Sequence, residues 1–196
     1  MENKINHIKH IKETVLSDQH YILKKLSFDY MTSNGKWERQ HREVYNRGDG
    51  AGILLYNRKK KTVLLIKQFR MPAYLNGAKD GFINEICGGL LDDDDPETCI
   101  MREVKEELGF EISTVKKVYE GFSSPGVLTE KMHFFIAEYT DEMKVDSGGG
   151  LATEQEDIEV LEIPYSEAID MLNNGKIIDT RTIVLLQYLQ IHKVLD

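Results

Sequence analysis

Only two cysteines, Cys87 and Cys99, occur in 196 residues, and their spacing matches neither a zinc site nor a redox pair. A disulfide-stapled scaffold is excluded, and both thiols read as reduced and packed. Histidine ligand spacing is missing as well. The six histidines, among them His7, His10, His20 and His133, form no His-x3-His pair, which argues against a zinc centre. Nowhere do eighteen apolar residues run together, and the polar start Met1-Glu2-Asn3-Lys4 is not followed by an apolar h-region. Neither a membrane span nor secretion is indicated, and a cytoplasmic location is expected. Basic clusters are scarce too: the formal charge is -8, and the one cluster, residues 58–61, lies between two apolar runs where a hairpin turn belongs. Binding to a nucleic-acid backbone is therefore not expected. An acidic chain that handles an anion must neutralise it locally, with a metal ion and a few placed arginines, which suits a small phosphorylated ligand better than a polymer.

What the chain does have is an ordinary apolar content, 41%, enough for one full domain and a small extra module. Residues 20–31 and 36–45 are β-prone and meet across Ser33-Asn34-Gly35-Lys36, where Asn-Gly predicts a hairpin. A turn at Gly48 and Gly50 opens a second set of strands, predicted over 51–56, 62–68, 83–87, 115–121, 132–139 and 157–163. One helix is framed by Asp95 as N-cap, Pro96 at its first position and Gly109 as its stop. A short helix is predicted over 166–173, stopping at Gly175, and a last one over 179–193 with Ile183, Leu186, Leu189 and Val194 on a stripe. Gly148-Gly149-Gly150 reads as a mobile loop. The fold class predicted is α+β, with an N-terminal β-hairpin module over 1–45 and a main domain over 46–196.

The helix after Asp95 carries the chemistry. At about 100° per residue, Ile100, Val104 and Leu108 form a buried stripe while Glu103, Glu106 and Glu107 crowd a narrow arc. Glu103 and Glu107 are like charges at i, i+4, a spacing that costs a few tenths of a kcal/mol unless a cation lies between them. A glutamate-rich helix face by itself is usually only solvated surface. The surroundings change that reading: Gly88, five residues, Asp94, seven residues, then Arg102-Glu103-Val104-Lys105-Glu106-Glu107-Leu108-Gly109-Phe110. This pattern resembles the Nudix box at every fixed position but one, Asp94, where the family has Glu.

The resemblance implies an α/β/α sandwich around a mixed sheet and hydrolysis of a diphosphate bond with Mg²⁺, or Mn²⁺ in its place. Glu103 and Glu107 are implied as metal ligands with the Gly88 carbonyl as a third. Glu106 is implied to support a further metal or the attacking water, and Arg102 to orient the carboxylates, unless it is only a surface ion pair. Further matches, Gln68-Phe69-Arg70, Ser124-Pro125-Gly126 and Glu154-Gln155-Glu156-Asp157, are similar to the subgroup that cleaves ADP-ribose and nucleotide sugars. They imply Arg70 as a diphosphate clamp, Glu154 as base and Glu156 as a metal ligand, a division that stays open. Resemblance to the branch acting on GDP-mannose covers nearly the whole chain and implies a homodimer, with His20, His41, Arg42 and Glu43 at the nucleotide and Glu130, Gln155 and Arg181 completing the substrate contacts. ADP-ribose remains the alternative substrate. An isopentenyl diphosphate isomerase is disfavoured by the intact box. A calcium loop starting at Asp92 is disfavoured by Pro96 at its fifth position and Glu97 where its sharp turn needs Gly.

Overall fold

The computed structural model describes residues 7–195, with the side chain of Glu154 outside the described residues. Two compact units emerge, one running up to Asp49 and including Gly121–Lys131, the other made of Gly50–Glu120 and the chain from Met132 onward.

The first unit is a three-stranded antiparallel sheet in the order β1 (Ile8–Asp18), β2 (Ile22–Met31), β3 (Trp37–Asn46). The predicted Asn-Gly turn is present, closed by the Gly35 N–H donating to the Thr32 carbonyl. β1 lies outside the predicted strands. Its sequence, IKHIKETVLSD, lacks clean alternation, and its ladder is interrupted by register shifts, one of them at His10, whose φ is +52°. Asp29 ties that bulge down, accepting from His10 Nδ1 at 2.7 Å and Arg39 Nη1 at 3.0 Å. The Ser124-Pro125-Gly126 turn belongs to this unit: the Val127 and Leu128 N–H groups donate to the Ser124 carbonyl, and Tyr45 N–H donates to Val127.

In the second unit the sheet is mixed, with strand order β10-β5-β4-β9-β8. β4 (Gly50–Asn57), β5 (Thr62–Phe69), β8 (Lys116–Phe122), β9 (Lys131–Glu138) and β10 (Glu159–Pro164) follow the predicted strands within a few residues. The single strand expected over 83–87 is instead two: β6 (Phe82–Glu85) pairs with β5, and β7 (Cys87–Leu90) pairs with β4. The cause is a splay. β4 and β5 pair only from Leu55↔Leu64 to Asn57↔Thr62, then diverge, and the chain crosses between them at Ile86. Ile86 leaves the ladder, and its N–H is satisfied by Thr182 Oγ1 at 2.8 Å.

Helices cover both faces of the sheet, because β4 and β5 alternate their apolar side chains to opposite sides. Ile53, Leu55, Leu64 and Ile66 pack with Ile100, Val104 and Leu108 of the box helix. Leu54, Tyr56, Val63 and Leu65 pack with Ala168 of α3 (Tyr165–Asn173) and Leu185, Leu186 and Leu189 of α4 (Thr180–Ile191). The predicted stripe on α4 holds in part: Leu186 and Leu189 are buried, while Ile183 and Val194 are partly buried beside Leu185. A short helix α1 (Met71–Leu75), not predicted, follows β5; α2 (Pro96–Glu103) is the first half of the box helix, which continues through Val104–Leu108. Each fully buried Leu or Ile contributes about 1.5–3 kcal/mol of transfer free energy, so these two layers set the frame on which the acidic residues sit.

Candidate functional site

The box helix begins as its sequence dictates. Asp95 Oδ1 accepts from the Glu97 and Thr98 N–H groups, and Pro96 occupies the first helical position, where no N–H is needed. Its second half is not α-helical: Val104–Leu108 form a π turn, closed by Gly109 at φ +76°. A π turn widens the helix by one residue, and such turns collect at functional sites because they re-aim side chains. Here Glu107 turns inward, 1% exposed, while Glu106 stays half-buried beside Arg102.

Glu107 lies against the β7 backbone, its Oε2 accepting from the Gly88 N–H at 2.9 Å. Burial pushes its carboxyl up to about 8, opposed by hydrogen bonds from Cys87 and Gly88 and reinforced by the charges of Glu103 and Glu156. Glu103 is buried beside Gly89, where an added Cβ would sit 2.3 Å from a carboxylate oxygen. Arg102 gathers three carboxylates: Nη1 lies 2.9 Å from both Glu103 and Glu106, and Nε lies 3.4 Å from Asp94. The shorter side chain at Asp94 thus still reaches the arginine. Glu156 belongs to the acidic loop, its Oε2 accepting from Leu151 N–H at 3.0 Å.

A second cluster gathers the arginines. Glu85, 3% exposed, accepts from Arg70 through Nε and Nη2, the latter at 2.7 Å, and pairs with Arg181 Nη2 at 3.1 Å. Arg181 also reaches Asp179 at 3.2 Å, and Asp179 caps α4 through the Thr182 N–H. Sequence reasoning did not single out Glu85. Its partners are distant along the chain and reach it only through the fold, so no local signal marks it.

The remaining predicted residues divide between the units. Gln155 is exposed on the acidic loop with φ +58°, and the side chain of Glu154 lies outside the described residues. In the first unit His20 is exposed with its ring 4.2 Å from that of Tyr21, and His41 Nδ1 lies 2.8 Å from Ser27 Oγ. Arg42 donates to the His41 carbonyl at 2.7 Å, and Glu43 is exposed opposite Lys25. Glu130 is 5% exposed and ion-paired to Arg47 at 3.2 Å.

The oxygens of Glu103, Glu107, Glu156 and the Gly88 backbone are hard donors, the kind that hold Mg²⁺-like ions rather than zinc. Two buried carboxylates close enough to repel each other's charge are the environment a divalent cation relieves. Among the described residues no group of three His, Cys, Asp or Glu is gathered closely enough to hold an ion, and Arg102 and the Gly88 N–H engage Glu103 and Glu107. Both cysteines are free and buried, and burial raises the Cys87 thiol well above its ordinary value and Cys99 to about 11. They are packed thiols, as the sequence suggested.

A carboxylate-lined box on a sheet-backed helix, read with a domain match over residues 46–182, defines the class: the chain belongs to the Nudix hydrolase family. Members generally use divalent metal ions on small-molecule substrates. Residues 7–45 match a second family model, the GDP-mannose pyrophosphatase NudK N-terminal domain. Among similar proteins are the GDP-mannose pyrophosphatases of Shigella dysenteriae serotype 1 (strain Sd197) and Escherichia coli O157:H7, each 50% identical over 186 residues, covering 95% of this chain and 96% of the relative. That of Escherichia coli O1:K1 / APEC is 49% identical over the same length. No helix among the described residues is long and apolar enough to cross a membrane.

Proposed function

We propose that this chain hydrolyses the diphosphate bond of GDP-mannose, giving GMP and mannose 1-phosphate, with Mg²⁺ as the working ion and Mn²⁺ as a substitute. The observation that carries the reaction is the pair of buried carboxylates, Glu103 and Glu107, seated on the Gly88-Gly89 backbone. The choice of sugar nucleotide rests on the 50% identity to enzymes named for it.

In this reading Glu103, Glu107, Glu156 and the Gly88 carbonyl hold the ion, which when bound neutralises diphosphate charge and polarises the phosphorus under attack. Arg102 spaces Glu103 and Glu106, keeping Glu106 poised to orient the attacking water. Glu154 takes the proton from that water. Arg70 and Arg181, fixed side by side by Glu85, grip the diphosphate through their remaining N–H groups; a planar guanidinium matches phosphate oxygens. The bridging oxygen leaves with one phosphate as the water oxygen bonds to the other phosphorus.

His20, His41, Arg42 and Glu43 contact the nucleotide, Glu43 accepting from the guanine N1–H and exocyclic amine that adenine cannot offer, while Gln155 and Glu130 complete the substrate contacts. Residues 1–45 serve as the dimerisation and nucleotide module and 46–196 as the hydrolase domain. The protein works as a homodimer in the cytoplasm. Exposed apolar side chains on β1, Ile11 at 61% and Val15 at 54%, support a partner for this sheet. The test is product analysis on a panel of nucleotide sugars with Mg²⁺. GMP and mannose 1-phosphate from GDP-mannose are expected; faster release of AMP and ribose 5-phosphate from ADP-ribose would overturn the substrate assignment.

A further inference from the structure

The Gly148-Gly149-Gly150 run, expected to be mobile, is bound to the end of the box helix. Val145 and Asp146 N–H donate to the Gly109 carbonyl at 2.8 and 3.0 Å, Gly149 N–H to Glu107 at 2.9 Å, and Gly150 N–H to Glu106 at 3.1 Å. A helix leaves its last carbonyls without intrahelical partners, and here one neighbouring segment supplies donors to those of Glu106 and Glu107. The same run holds the acidic loop, Ile158 N–H donating to the Gly149 carbonyl at 3.2 Å, and the residue that follows it, Leu151, donates its N–H to the Glu156 carboxylate at 3.0 Å.

Only glycine serves at these positions. Their φ values are +69°, +114° and +80°; a Cβ on Gly148 would lie 2.4 Å from the Glu107 carbonyl oxygen, and one on Gly150 would lie 2.5 Å from the Glu156 carboxylate. Gly148 and Gly149 also line a cavity of about 380 Å³ with Phe110, Lys144 and Ile158.

We infer that Gly148-Gly149-Gly150 is a positioning element for hydrolysis, fixing the spacing between the box carboxylates and Glu156 so that one divalent cation is shared between helix and loop. The inference rests on the proposed reading of those carboxylates as metal ligands. Gly148→Ala and Gly150→Ala are expected to weaken calorimetric Mg²⁺ binding about tenfold or more and to lower kcat to match, with KM for GDP-mannose within about twofold of wild type. Gly175→Ala is the control: its φ is also positive, +68°, yet nothing lies within 4 Å of an added Cβ, so backbone strain without contact should leave Mg²⁺ binding unchanged. Wild-type amide exchange needs no variant: the Gly149 and Gly150 amides should be protected, and further slowed by Mg²⁺. Wild-type Mg²⁺ affinity in both alanine variants, or unprotected Gly149 and Gly150 amides in the wild-type protein, would overturn the positioning role. Failure of the wild-type protein to bind Mg²⁺ at all would instead overturn the metal reading beneath it.

Discussion

The two units bury their side chains very differently. β4 is buried at every position and shares both apolar layers with helices, whereas β1 is exposed at nearly every position and the N-terminal strands contribute no residue to either layer among the described residues. Sheet stability comes from burying one side, and in this unit β2 is partly buried while most of β1 is not. The difference teaches where the chain keeps its stability and where it keeps its versatility. The helix-bearing unit buries two apolar layers of its own, whereas β1 leaves Ile11 and Val15 exposed.

The largest effect that would sharpen this contrast is catalytic. Glu103→Gln keeps shape and removes charge, so turnover should fall by about 10²–10⁴ with the circular dichroism spectrum unchanged. Turnover near wild type with Mg²⁺ would refute the role given to the box. Next comes stability: Leu108→Ala opens a hole in a fully buried layer and should cost about 2–5 kcal/mol by urea unfolding. In the N-terminal sheet, Ile11→Glu combined with Val15→Glu should convert dimer to monomer in sedimentation. A monomeric wild-type protein would break the comparison from the other side. A smaller loss is expected for Asp179→Ala, about 1 kcal/mol, because the α4 cap disappears.

The smallest effect depends on pH. Lys60, Tyr139 and Thr62 surround Glu162 and together hold its carboxyl below the usual value of 4.5 despite partial burial, which acts to raise it. A lowered carboxyl stabilises the fold above its unfolded value and loses that contribution as pH falls through its folded value. Glu162→Gln should therefore melt below wild type at pH 7, and the gap should close as the pH drops under 4.

Much of the second unit could be read from residues alone, because its signals are short-range. Asp95, Pro96 and Gly109 set the ends of the box helix by capping chemistry that acts within a turn, and the 100-104-108 stripe follows from helix geometry. What escaped depends on distance or on weak patterning. β1 has no buried face to impose alternation. The break at Ile86 follows from the splay of β4 from β5, and the partner of its freed N–H, Thr182, lies far along the chain. The π turn leaves the same apolar spacing as an α-helix, and Glu85 acquires its meaning only when Arg70 and Arg181 arrive from separate elements. Glycines at 148–150 look like a flexible linker until the carbonyls they satisfy are known.

The hydroxyl of Thr182 has a wider reach than one hydrogen bond. It receives the backbone at the crossing between β6 and β7 while its neighbour Arg181 touches Glu85, so the first turn of the closing helix meets both the guanidinium pair and the strand leading into Gly88. A stretch without any recognisable motif thereby ties the backbone that leads into Gly88 to the pair of arginines on Glu85. Valine there, nearly the same size, would strand a buried amide and loosen both at once.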